Sequence, residues 1–152
     1  MKKNILVIVL IICGILFFYW YKPTPKTKLS SDTVVNSHIT YTNASLDLII
    51  VDLPFPDAVT GKEFSVIGKA RGNWFFEASF PIQILDKDGK ILMTAIAQAQ
   101  SDWMTTNFVP FKAEIKVPNS YIGKATLVLK KDNPSGLPEH DASVSFPFTI
   151  EY

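Results

Sequence analysis

The chain has a single cysteine, Cys13, among 152 residues. It lies inside an apolar run, so the remainder can form no disulfide and must be held together by an ordinary core. No Cys/His spacing suited to a metal is present either, and no cofactor is expected. Histidine is nearly absent, with only His38 and His140. That leaves little material for a Ser-His-Asp arrangement. A basic surplus is missing as well. The net charge of +1 hides an asymmetry, because residues 46–152 hold ten lysines and arginines against thirteen acidic residues. A mildly acidic domain gives no reason to expect a nucleic-acid partner, which needs a basic face. Beyond residue 21 there is also no convincing helical period.

What is present begins at the N-terminus. Residues 5–21 run from Ile5 to Tyr21 without a charge, behind Met1-Lys2-Lys3. A helix of 17 residues is about 26 Å long, near the lower limit for crossing a bilayer. Three readings compete. A cleaved signal peptide needs small residues at its processing site, and none stand after the run. A lipoprotein signal is suggested by Leu10-Ile11-Ile12-Cys13-Gly14, but Ile12 is large where such signals carry a small residue. An uncleaved single-pass anchor fits best, with Phe17 to Tyr21 forming an interfacial aromatic cluster. Lysines flank both ends, and the short N-terminal tail favours export of the rest of the chain. The expected location is the cell membrane, with the domain on the extracytoplasmic side.

Residues 22–45 read as a flexible polar tether, rich in Ser, Thr, Pro and Lys. Val34-Val35 or Ile39-Thr40-Tyr41 could add a strand to the C-terminal domain. From Leu46 to the end the period becomes two. Seven alternating segments are expected: Leu46/Leu48/Ile50, Phe64 to Ala70, Phe80 to Ile84, Ile91 to Ala99, Val109 to Val117, Ala125 to Leu129 and Val144 to Ile150. Turn residues separate them, as in Asp86-Lys87-Asp88-Gly89 and Asp132-Asn133-Pro134-Ser135-Gly136. The expected fold for 46–152 is therefore all-β, an immunoglobulin-like sandwich of seven strands. Without the Cys-Trp-Cys core of antibody domains it would be a fibronectin-like or bacterial variety. Pattern alone does not separate it from a barrel.

Three blocks say more than pattern. They are Lys69-Ala70-Arg71-Gly72-Asn73-Trp74-Phe75-Phe76-Glu77-Ala78-Ser79-Phe80-Pro81, Ala99-Gln100-Ser101-Asp102-Trp103-Met104, and the stretch from Leu127 through Asn133-Pro134-Ser135-Gly136 to Ser143. Together they resemble the immunoglobulin-like domain associated with bacterial spore germination, over roughly residues 46–150. The resemblance implies a bacterial, extracytoplasmic module without catalytic activity. It supplies no binding residues.

Strand counting supplies candidates instead. Alternating up and down, the second-to-third, fourth-to-fifth and sixth-to-seventh connections fall at one end. They carry Arg71, Trp74, Phe75, Phe76, Trp103, Met104, Asn133 and Pro134. Loops clustered at one end are how such folds bind partners, and aromatics with an arginine are common interface anchors. The competing reading is that the rings plug the open end of the fold. A calcium site among Asp132, Glu139, His140 and Asp141 lacks the spacing of a known loop. The leading expectation is a non-catalytic module binding a cell-envelope protein or wall polymer, with oligomeric state unassigned. The alternatives are a small envelope hydrolase using Glu77, Asp102 or Asp141, and a structural spacer or assembly subunit.

Overall fold

The computed structural model describes residues 38–152. The expected membrane segment, 1–21, and most of the tether, Val34-Val35 included, lie outside the described residues. Among the described residues no helix is long and apolar enough to cross a membrane.

Among the described residues nine strands form: β1 (Thr40–Thr42), β2 (Ile49–Leu53), β3 (Val59–Thr60), β4 (Glu63–Arg71), β5 (Ser79–Leu85), β6 (Ile91–Ala99), β7 (Phe108–Lys116), β8 (Gly123–Lys130) and β9 (Ser143–Ile150). Seven of them match the seven alternating segments. The two extra strands are three and two residues long, too short to show a period in sequence. β1 also moves the start of the fold. Thr40, Tyr41 and Thr42 pair with Ser145, Val144 and Ser143, so a tether running to Ser45 is too long, and the Ile39-Thr40-Tyr41 alternative describes this segment.

The hydrogen-bonded order is β1-β9-β8-β5-β6-β7-β4-β2, with β3 beside β9. All pairs are antiparallel except β3 with β9. The path has two ends and does not close into a barrel. It folds back on itself where β6 meets β7, through only Gln98↔Lys112 and Ala99↔Phe111. Side chains then join strands that share no hydrogen bonds. Phe64 of β4 meets Phe148 of β9 at 5.5 Å between ring centroids, and Phe80 of β5 meets Phe111 of β7 at 4.9 Å, both edge to face.

The alternation explains the core. Phe80, Ile82 and Ile84 of β5, Val109 to Ile115 of β7, Ala125 to Leu129 of β8 and Val144 to Ile150 of β9 bury every second residue. Each large side chain buried this way contributes roughly 1.5–3 kcal/mol. No charged or polar residue is buried among those described. Gly68 is needed at the centre of β4, because a Cβ there would lie 2.2 Å from the Ile50 carbonyl and 2.7 Å from the Phe111 ring.

Two expected phases fail. In β2 it is Ile49 that is buried, while Leu46 is exposed. The stretch Leu46-Asp47-Leu48-Ile49-Ile50-Val51 is apolar on both phases, so alternation cannot choose. In β6 the alternation predicts Ile91 inward, and it is 51% exposed. The register shift between Ile84 and Leu85, which sets Leu85 opposite Ile91, turns it outward.

Candidate functional site

The β4–β5, β6–β7 and β8–β9 connections meet at one end of the fold, and backbone hydrogen bonds bind them together. Gly72 N–H donates to Asn107 O at 3.3 Å, and Asp132 N–H donates to Trp74 O at 3.0 Å. The first connection opens with a 3-10 turn, Gly72–Trp74. Gly72 is the residue that permits this closeness. A Cβ on it would sit 1.9 Å from the Thr105 carbonyl oxygen and 2.3 Å from that of Trp103.

The eight candidate residues divide by what they touch. Trp74 is 1% exposed and Phe75 is buried beside it. Their rings meet Phe80 edge to face at 6.4 and 5.2 Å. They close the core, as the plug reading expects. The Trp74 indole N–H is buried without a hydrogen-bond partner, so the ring is held there by its apolar contacts. Trp103 is half-buried and packs on the same core. Arg71 is committed locally: its Nε donates to Asp47 O at 3.0 Å, its Nη1 to Thr106 O at 3.1 Å, and its guanidinium stacks 4.2 Å from the Phe108 ring.

The rest face solvent. Phe76 is 42% exposed, Met104 is 77% exposed, and Pro134 is exposed with Asn133 half-buried behind it. Phe75, Phe76, Asn133 and Pro134 line a hollow of about 250 Å³ together with Asn73, Lys131, Asp132, Ser135 and His140. A second hollow of about 270 Å³ lies between Leu48, Arg71, Asn73, Thr105 and Thr106. Asn73 borders both, so the two are adjacent. Counting strands could place the three connections together. It could not find Asn73, Lys131, Thr105 or Thr106, whose only signal was membership of those loops.

The β8–β9 loop places His140 Nδ1 3.1 Å from Ser135 Oγ, a pair that sequence reasoning did not identify. Asn133 Nδ2 donates to Leu137 O at 2.9 Å and to Asp141 Oδ1 at 2.8 Å, which turns Asn133 Oδ1 toward Ser135. The serine hydroxyl gives its one proton to that Oδ1 at 2.5 Å. Ser135 Oγ is thus shared between Asn133 Oδ1 and the His140 ring. Asp141 accepts the Asn133 side chain. Asp102 Oδ1 takes the Met104 N–H at 3.0 Å, a local turn. Glu77, at φ +48°, is an exposed turn residue. Among the described residues no group of His, Cys, Asp and Glu is arranged to hold a metal.

A larger hollow, about 440 Å³, lies away from these loops beside β9, lined by His38, Thr40, Asp57, Lys124, Pro147, Phe148 and Thr149. His38 Nδ1 and Asp57 Oδ2 are 2.5 Å apart across it. Both are more than half exposed. The pair clips the segment before β1 to the turn before β3, a fastening that sequence alone did not suggest for a histidine assigned to the tether.

Comparison with known proteins returns one family. Residues 48–137 match the immunoglobulin-like domain of bacterial spore germination, a stretch that runs from just before β2 through β8 into the β8–β9 loop. No curated protein and no solved structure matches the chain. The matched stretch contains the β4–β5 and β6–β7 connections whole and the β8–β9 connection as far as Leu137, and it spans more than half of the chain. By that match, the chain belongs to the family of the immunoglobulin-like domain of bacterial spore germination.

Proposed function

We propose that this chain is a membrane-anchored, extracytoplasmic, non-catalytic module whose loop end docks a cell-envelope partner, either a protein or a wall polymer, in a setting related to sporulation or germination. One observation carries the docking reading. Phe76 and Pro134 stand exposed around a hollow of about 250 Å³ whose wall includes the buried Phe75. A rigid floor with apolar groups at its rim is the form of a hot spot, where a few anchors carry most of the energy. The anchor and the outward location rest on the uncharged run at 5–21 and the absence of a small-residue cleavage site after it. The non-catalytic reading is supported by carboxylates spent on turns, Asp102 accepting the Met104 N–H and Glu77 sitting at a positive φ.

The test uses the full chain in membranes and isolated wall material or envelope extract as bait. Phe76→Ala should weaken capture by about 2 kcal/mol, the usual scale for an anchor, without lowering the unfolding midpoint. Unchanged capture for Phe76→Ala and Met104→Ala would reject the docking surface. The spacer reading is favoured by a different observation, that Trp74 and Phe75 are buried and Arg71 is already occupied. It would then stand first.

A further inference from the structure

Most sheet edges in the described residues are covered, short or charged. The β9 edge is covered by β1 at Ser143–Ser145 and by β3 at Thr149–Ile150, with Pro147, which has no N–H, in the gap. β2 is five residues long, irregular between Val51 and Leu53, carries Asp52 and is succeeded by Pro54. The open side of β7 beyond Lys112 carries Glu114 and Lys116. Short length, bulges, proline and charge are the usual devices against edge-to-edge association.

β6 lacks these devices along most of its length. It pairs with β5 throughout, but with β7 only through Gln98 and Ala99. The other side of Ile91–Ala97 has no strand beside it among the described residues. Alternate N–H and C=O groups along it therefore point away from β5 with no strand to meet. The stretch Ile91-Leu92-Met93-Thr94-Ala95-Ile96-Ala97-Gln98-Ala99-Gln100-Ser101 has no charge and no proline. Its one irregularity, at Ile91, leaves Met93–Ala97 regular. Ile96 is 50% exposed on the outer face of this edge.

We propose that this edge pairs antiparallel with β6 of a second copy of the chain, about a two-fold axis through Thr94. The occupant is set by charge and register. Self-pairing sets like residues near like, so a charged edge would repel its own copy, and this one has nothing to repel. An axis through a residue keeps outer side chains against outer and inner against inner. Thr94 then faces Thr94 on the outside and Met93 faces Ala95 on the core side, while Leu92, half-buried against the core beside the irregularity, comes opposite Ile96. A half-register shift would mix the faces, so the axis must pass through a residue. Joining the two edges continues each sheet into the other and removes both exposed edges at once.

The experiment measures the mass of the full chain in detergent by sedimentation, across concentration, for the wild type, Thr94→Lys, Thr94→Glu and an equimolar mixture of the two variants. Thr94 is exposed on the sheet's outer face, so the substitutions leave the core intact, and matching thermal midpoints confirm it. The expected result is a wild-type dimer, at least tenfold weaker self-association for each variant alone, and recovery in the mixture. A wild type that stays monomeric overturns the proposal. So does a dimer indifferent to both variants, which would place the contact in another part of the chain. Weakening without recovery in the mixture also overturns it, since the edge would then meet something other than its own copy.

Discussion

The outer faces of the two layers are built from different residues. On β4 and β7 the outward positions are mostly charged: Glu63 meets Lys116 across the strands at 2.6 Å, Lys112 meets Glu114 at 2.7 Å, and Ser65 Oγ donates to Glu114 at 2.9 Å. Lys69 and Arg71 cover the Phe108 ring. On β9, β8, β5 and β6 the outward positions include Ser143, Ser145, Pro147, Thr149, Thr126, Val128, Ser79, Pro81, Gln83, Leu85, Ile91, Thr94, Ile96 and Gln98, with Lys124 and Lys130 as the charged exceptions and no carboxylate. Exposed ion pairs of the first kind add little stability. Their effect is to keep that face in water, since a partner would have to strip each charge of its hydration. The second face presents hydroxyls, two amides and apolar groups, which cost little to cover. The difference is one of cost: the charged face is expensive to cover and the neutral one is not.

Both faces rest on one core, and the largest expected effect tests that. Phe111→Ala from the charged layer and Phe146→Ala from the neutral one should each cost about 3–5 kcal/mol, read from chemical denaturation. Both side chains are at most 2% exposed. A large loss from one and a small loss from the other would mean that the layers do not unfold together. Trp74→Ala belongs to the same range, about 3–5 kcal/mol, because its ring closes the end that both layers share. Met104→Ala, on the same end but exposed, should leave the midpoint nearly unchanged. Equal losses for Trp74 and Met104 would erase the distinction between plug and surface.

Gly72→Ala is the next step down. The new methyl group must push aside the Thr105 and Trp103 carbonyls, which are backbone and cannot rotate away. A loss of about 1–3 kcal/mol is expected, together with weakened capture of the envelope partner, since the β4–β5 and β6–β7 connections would part. A stable variant with unaltered capture would show that the loop end tolerates separation.

How much of the molecule was legible depended on the element. β5, β7, β8 and β9 alternate between one apolar and one polar set, so Phe80, Val109, Leu127 and Phe146 could be placed inward from sequence. β2 could not be phased, because Leu48, Ile49, Ile50 and Val51 offer apolar residues to both faces. β1 and β3 gain their place from pairing with β9, a long-range event that no short window records. The loop end was legible as a location, since strand parity alone brings the three connections together. Its surface was not legible. Trp74, Phe75 and Phe76 are consecutive in an irregular segment with no period, so nothing in their order says that two turn in and one turns out. Arg71 was misleading for a related reason: an arginine near aromatics suggests an anchor, whereas two backbone carbonyls and Phe108 already hold it.

The smallest expected effect lies on the charged face and has a defined sign with pH. Hydrogen bonds from Lys112, and then from Ser65, hold the Glu114 carboxyl below its ordinary value. A group lowered on folding stabilises the fold above its unfolded pKa, and that contribution disappears as pH falls through the folded value. Lys116 is raised by its hydrogen bond to Glu63, so its contribution is present below its unfolded pKa and is lost as pH rises through the folded one. Glu114→Gln should therefore lower the unfolding midpoint slightly at neutral pH and not at all once the medium is acid enough to protonate Glu114 in the folded chain. Added salt should narrow the neutral-pH gap, because the groups are exposed and screened. Thr126→Gln, on the neutral face, should track the wild type across the same acid range. If it shows the same acid limb as Glu114→Gln, the limb arises elsewhere in the molecule, and the ladder on β4 and β7 serves to keep a face wet without contributing measurably to stability.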